Sequence, residues 1–235
     1  MAQVPAPRAT AAQVRPGWTG RLWAEIEPVY DAIVEHPFIE GLTSGELDVD
    51  SFVHFISQDT HYLQDYVRTL LVLAAKSSDF EVTKMLTTHA AAAAAAETGL
   101  HAELMKDLGR DPAELLAFDA RPATRAYTTF LVATVFGGSF ADGLAAIVPC
   151  FWIYAEVGKH LTQAGSPNPV YQRWIDSYGS DDYLREVTLA LDLTDRVGLD
   201  LGSEAEAAAR QHFAMAARYE WMFWDAAYRR ETWPV

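Results

Sequence analysis

From Leu22 onward the apolar residues recur at intervals of three and four, and no stretch shows the sustained alternation, rich in Val, Ile and Thr, that marks strands. The pattern predicts an all-α domain, arranged as a multi-helix bundle because the helices are numerous and their connections short. A first helix is expected over 20–35, bent at Pro28 and stopped by the His36-Pro37 pair, with the turn GLTSGELD leading on to Asp50. The helix that follows carries Phe52, Phe55, Ile56, Asp59, Tyr62, Leu63, Tyr66 and Leu70 on one stripe. Another runs from near Asp79 to Gly109, a residue suited to a C-terminal cap, and contains the run Ala90 to Ala96, which favours helix and by itself says nothing about chemistry.

Pro122 opens a helix that reaches Phe136 and is broken by Gly137-Gly138. Ser139 caps the next, which extends to about Leu161 and is bent by Pro149 just where Cys150 stands. The short segment NPVYQRWIDSYG ends in a Tyr178-Gly179 turn, and Ser180 starts a helix to about Val197. Ser203 and Glu206 read as a capping box for a final helix of about seven turns. That helix places Phe213, Ala216, Ala217, Glu220, Phe223, Trp224 and Ala227 on one face.

Two charges break these apolar faces, Asp59 on one helix and Glu220 on the other. An ionised carboxylate there costs several kcal/mol unless it is paired or shifts its pKa, so each needs either a structural partner across the core or a function. Cys150 lies in the apolar stretch AAIVPCFWIYA, where a thiol is more often a small buried hydrophobe than a nucleophile, though with a polar neighbour it can attack an electron-poor carbon. Tyr62, Tyr66, Tyr127, Tyr154, Tyr178 and Tyr219 fall on or beside the same stripes. Tyrosines with carboxylates suit either a core or a pocket for a planar heteroaromatic ligand.

Composition narrows the classes. A chain of 235 residues, half of them hydrophobic, fits one domain, expected over 18–235 after a Pro- and Ala-rich extension, 1–17, that reads as disordered. The formal charge of −14 disfavours nucleic acid and anionic membranes as partners. A single cysteine excludes an intrachain disulfide and a Cys-based zinc cluster, and with no signal-peptide pattern it points to the cytoplasm. Three acid–His pairs stand four apart, Asp50 with His54, Glu97 with His101 and Glu156 with His160, a spacing that lets two ligands meet one metal ion. Neither HExxH nor Glu-x-x-His occurs, and there is no GxSxG, P-loop or GxGxxG opening a helix.

Five motifs in order, HPF at 36–38, QDTHYL at 58–63, PCFWIYAEVG at 149–158, YGS at 178–180 and YEWMFWDAAY at 219–228, resemble those of the TenA family, also called thiaminase II. The resemblance runs from about residue 20 to the C-terminus. It implies a haem-oxygenase-like helical fold, a homotetramer, and no metal or organic cofactor. It also implies hydrolysis of an aminomethylpyrimidine to the hydroxymethylpyrimidine and ammonia, with slower cleavage of thiamin. By resemblance Cys150 is the nucleophile and Glu220 the proton-transfer group. Asp59 holds the pyrimidine's amino group and ring nitrogen, and Tyr62, Tyr127, Tyr154 and Tyr178 complete the substrate site. Two readings of another class stay open: an iron-dependent oxidase of the same fold, and a pyrimidine-binding or regulatory protein without turnover.

Overall fold

The computed structural model describes residues 15–117 and 119–235. Ten α-helices follow one another: α1 (Trp18–Val34), α2 (Pro37–Ser44), α3 (Val49–Lys76), α4 (Phe80–Ala96), α5 (Ala102–Asp107), α6 (Pro122–Gly137), α7 (Phe140–Ala164), α8 (Pro169–Tyr178), α9 (Asp181–Leu199) and α10 (Ser203–Arg229). A π-turn, Glu97–His101, joins α4 to α5, and a 3-10 turn, Pro112–Leu116, follows α5. No strand occurs among the described residues, as the three-and-four periodicity predicts. Of the expected extension, residues 1–14 lie outside the described residues. Arg15 already holds Asp192 and Asp195 of α9, so the contacts of the domain begin before residue 18.

The core is built around α7, which packs against α10, α6, α9, α8 and α3. This helix is long and apolar enough to cross a bilayer, yet 78% of its most apolar window is buried by its neighbours, so its hydrophobicity is that of a central core helix. Its start is fixed by a capping box: Ser139 Oγ accepts from Asp142 N at 3.2 Å and Asp142 returns to Ser139 N at 2.8 Å. Around it lies an aromatic cluster in which Phe55 of α3 stacks on Trp224 of α10 at 4.8 Å, with Trp174 and Tyr154 against the same indole.

Three elements depart from the sequence reading. A helix, α2, follows His36 directly and takes in the first four residues, 41–44, of the turn expected over 41–48. The dipeptide that stops α1 also starts α2, because His36 Nδ1 accepts from Phe38 N at 3.1 Å and Pro37 lacks the N–H that a first helical position does not need. The helix expected to run to Gly109 is interrupted at the π-turn; Gly109 then caps α5 with φ 71°, and Arg110 N reaching Met105 O at 2.9 Å completes a Schellman closure. The capping box at Ser203 does not form, since Ser203 is already helical behind Gly202, and Glu206 is drawn to Arg21 at 3.1 Å.

Gly158 lets α7 and the end of α8 touch, which sets the position of Tyr178. A Cβ there would stand 2.9 Å from Tyr178 Cβ and 3.1 Å from the Tyr178 carbonyl oxygen. Gly158→Ala is therefore expected to overpack this contact and destabilise the fold by about 1–3 kcal/mol. In thermal unfolding that is a loss of roughly 2–4 °C per kcal/mol, and an unchanged melting temperature would show that the contact gives way freely.

Candidate functional site

Asp59, Tyr62 and Tyr66 stand at i, i+3 and i+7 of α3 and so share one face. Cys150 and Tyr154 stand one turn apart on α7, Tyr127 comes from α6, Glu220 from α10, Tyr178 from the end of α8 and Tyr183 from the start of α9. They meet at or beside a cavity of about 180 Å³. Asp59, Tyr62, Cys150, Tyr154 and Tyr178, all singled out from the sequence, line it. Glu220 and Tyr127 are not in the lining; they lie beside it, with the Tyr127 ring 5.0 Å from that of Tyr62.

Glu220 is 2% exposed and accepts a hydrogen bond from the Tyr127 hydroxyl at 2.5 Å. Burial pushes its pKa up to about 8; the Tyr127 bond opposes this and the Asp59 charge adds to it. At neutral pH the group is mostly a neutral carboxylic acid. Burial likewise raises the Cys150 thiol well above its usual range, helped by the charges of Glu220, when ionised, and Asp59, while the Tyr62 and Tyr66 hydroxyls pull it back. The resting pair is thus thiol and acid, and thiolate forms only as its proton finds an acceptor. Tyr66 is anchored to the Ile147 carbonyl at 3.3 Å, whereas the buried Tyr62 hydroxyl is turned toward Cys150 and Tyr127.

Asp59 has a partner that the sequence reading missed. His101 Nε2 lies 3.2 Å from Asp59 Oδ2, with both side chains buried, and His101 Nδ1 lies 2.9 Å from Thr60 Oγ1. The Thr60 hydroxyl donates to the Ile56 carbonyl at 2.9 Å, so His101 ties Asp59 to the backbone of α3 through Thr60. His101 closes the π-turn, whose i→i+5 geometry slows the rotation of the helix and brings Leu100 and His101 into the lining beside Ala92 and Ala93 of α4. Pattern reading placed His101 with Glu97, since i,i+4 pairing assumes an unbroken α-helix. The alanine run also gains a role: two of its members form cavity wall.

The other two acid–His pairs do not converge. Asp50 is held by Arg110 at 2.9 Å and Glu156 by Lys159 at 2.8 Å. Among the described residues no group of three or more His, Cys, Asp or Glu side chains is placed to hold a metal ion.

The model of the TENA/THI-4/PQQC family matches residues 23–230. Over 198 residues the chain is 34% identical to the aminopyrimidine aminohydrolase of Bacillus subtilis (strain 168), a match covering 84% of either protein. Among solved structures, the TenA homologue from P. horikoshii OT3 superimposes with a TM-score of 0.82 at 28% identity, covering 91% of this chain and 99% of that one. A domain with a heme oxygenase-like fold from Shewanella denitrificans OS217 gives 0.72 at 14% identity over 90% of this chain and 92% of that one, a likeness of fold alone. The fold implied by the five motifs is therefore the one found.

The buried acids generate two expectations. Because the Glu220 pKa is raised in the folded state from an ordinary 4.5 to about 8, the folded protein holds a proton there that the unfolded chain has released. This contribution to stability is largest below pH 4.5, declines through the window up to 8 and is level above it. Relative to Glu220→Gln, the wild type is expected to lose up to about 1.4 kcal/mol of stability per pH unit inside that window, as read by urea unfolding at several pH values. Parallel profiles would refute the raised pKa. His101→Leu strands Asp59 in the core and is expected to cost about 3–5 kcal/mol, with His101→Gln costing less; equal losses would mean the pair is not what Asp59 depends on.

Proposed function

The chain belongs to the TENA/THI-4/PQQC family, and from that premise we propose that it hydrolyses a 5-aminomethyl-4-aminopyrimidine to the hydroxymethylpyrimidine and ammonia. The observation that carries this reading is the neutral acid Glu220 held by Tyr127 beside the lone thiol of Cys150, at the edge of an aromatic cavity sized for one ring. The name borne by the Bacillus subtilis relative supports it.

In this reading the ring lies among Tyr62, Tyr154 and Tyr178, with its amidine edge toward Asp59. Asp59 and His101 hold the 4-amino group and the adjacent ring nitrogen, and an analogue lacking that donor leaves Asp59 unpaired, which discriminates against it. Cys150 Sγ adds to the electron-poor ring carbon next to the side chain, and the thiol proton passes to the ring nitrogen at the amidine edge. The electron pair released into the ring expels the side-chain nitrogen as Glu220 protonates it, leaving an exocyclic methylene. Water adds to that methylene and returns a proton to Glu220. Loss of Sγ, with recovery of its proton, restores the aromatic ring. A thiol with a raised pKa suits this order, because it leaves readily only when a proton is returned to it.

The test is release of ammonia and hydroxymethylpyrimidine from the aminomethylpyrimidine under metal-free conditions. Cys150→Ser and Glu220→Gln are each expected to reduce kcat by at least about a hundredfold, the lower range of general acid–base effects. For wild type, kcat is expected to fall as pH rises through about 8, where Glu220 loses its proton. A folded wild type with no turnover, or a Cys150→Ser variant as active as wild type, would sink the proposal.

A further inference from the structure

Helix α6 brings Tyr127 to Glu220, yet it starts without a cap of its own: Arg121 stands at the N-cap and its side chain makes no capping hydrogen bond. The first turn of a helix leaves N–H donors that no carbonyl of that helix can take, and here the acceptors come from elsewhere in the fold. Arg121 N donates to Gln58 Oε1 at 2.7 Å, and Ala123 N donates to Glu231 Oε2 at 2.8 Å. Gln58 precedes Asp59 on α3, and Glu231 follows the end of α10, the helix that carries Glu220. Three helices that bear site residues are thus joined at one point, the start of α6.

The backbone delivers Glu231 to that point. Arg230 takes the left-handed conformation, φ 52°, the one non-glycine residue with positive φ among the described residues, and Glu231 N closes the turn on the Ala226 carbonyl at 2.9 Å. The chain then lies against the segment leading into α6, where Trp233 Nε1 donates to the Ala120 carbonyl at 3.1 Å. A carboxylate at the first turn of a helix is favoured by the helix dipole as well as by the hydrogen bond.

Ala123 and Tyr127 stand one turn apart, about 6 Å along α6, so what fixes Ala123 also fixes the height of the Tyr127 ring. Tyr219 of α10 stacks on that ring at 5.2 Å, but a stack resists separation of the rings more than sliding in their plane. The Tyr127–Glu220 bond is 2.5 Å long. Bonds between hydroxyl and oxygen extend to about 3.0 Å, so a slip of α6 by roughly 1 Å breaks this one.

We propose that Glu231 is a positioning residue for the reaction: by accepting from the first turn of α6 it locks that helix against α10 and so holds the Tyr127 hydroxyl on Glu220. The inference rests on the aminohydrolase reading, in which Glu220 protonates the departing nitrogen, and adds what keeps that acid aimed. Glu231 itself is not part of the cavity lining.

The experiment is a double-mutant cycle in the full chain, with wild type, Glu231→Ala, Tyr127→Phe and the double variant assayed for ammonia release beside Glu231→Gln. Glu231→Ala is expected to lower kcat roughly tenfold and leave KM within about twofold, since Asp59, Tyr62, Tyr154 and Tyr178 meet the ring from helices that Glu231 does not hold. Glu231→Gln keeps an acceptor oxygen and is expected to recover kcat to within about threefold of wild type. With Tyr127→Phe already present, Glu231→Ala is expected to change kcat by less than about twofold, because the bond it protects is gone. Independent losses that multiply in the double variant, a rise in KM as large as the fall in kcat, no effect of Glu231→Ala, or a Gln variant as impaired as the Ala one would overturn the role. Failure of wild type to release ammonia overturns the aminohydrolase reading instead. The same cycle read by urea unfolding then still decides the clamp: non-additive losses of stability support it, and additive ones refute it.

Discussion

A carboxyl group taken from water into an aromatic core is stable only as a neutral acid or against a neighbour that holds a proton for it, and the two in this bundle adopt one solution each. Glu220 keeps its own proton and uses its remaining capacity on Tyr127. Asp59 leans on His101, which in turn leans on Thr60 and the backbone of α3. Two carboxyl groups near one cavity are thereby given different partners, a phenol for Glu220 and an imidazole for Asp59.

The bundle exists, in this sense, to hold those surroundings still. α3 supplies anchor and ring wall from one face, α7 brings the thiol through the centre, and α10 brings the acid from the far side. Close approach at Gly158 draws the end of α8 inward so that Tyr178 closes the wall, and the Tyr154 and Tyr178 rings meet at 5.2 Å. Because each contributing helix is long and packed along its length, moving one site residue means shifting a helix against the aromatic cluster around Trp224, where volume changes are strongly resisted.

Most of this could be read from the chain because its signals are local. Asp59 and Glu220 announce themselves as charges on apolar faces, and Cys150 as the one thiol beside a proline. The features that escape such a reading depend on phase or on long-range partners. A helix periodicity carried through residues 97–101 misplaces His101, since the π-turn leaves no composition signal. The helix α2 is hidden because His36-Pro37 reads equally as a stop and as a start. The cap at Ser203 fails because the helix starts one residue earlier, with Gly202 at the N-cap, and Glu206 pairs with Arg21 of a distant helix instead. Ala123 and Glu231 sit 108 positions apart, and nothing in either neighbourhood says that they meet.

The alanine stretch on α4 carries one more implication. Ala92 is exposed and Ala93 half-buried, and both face the cavity, so this wall is made of side chains whose identity the hydrophobic core hardly constrains. Substitution there changes the room available to a ligand without touching the thiol, the two acids or the aromatic cluster. The room beside the ring and the polar groups around it are therefore set by different helices, and a change on the α4 face leaves the side chains of α3, α7 and α10 in place.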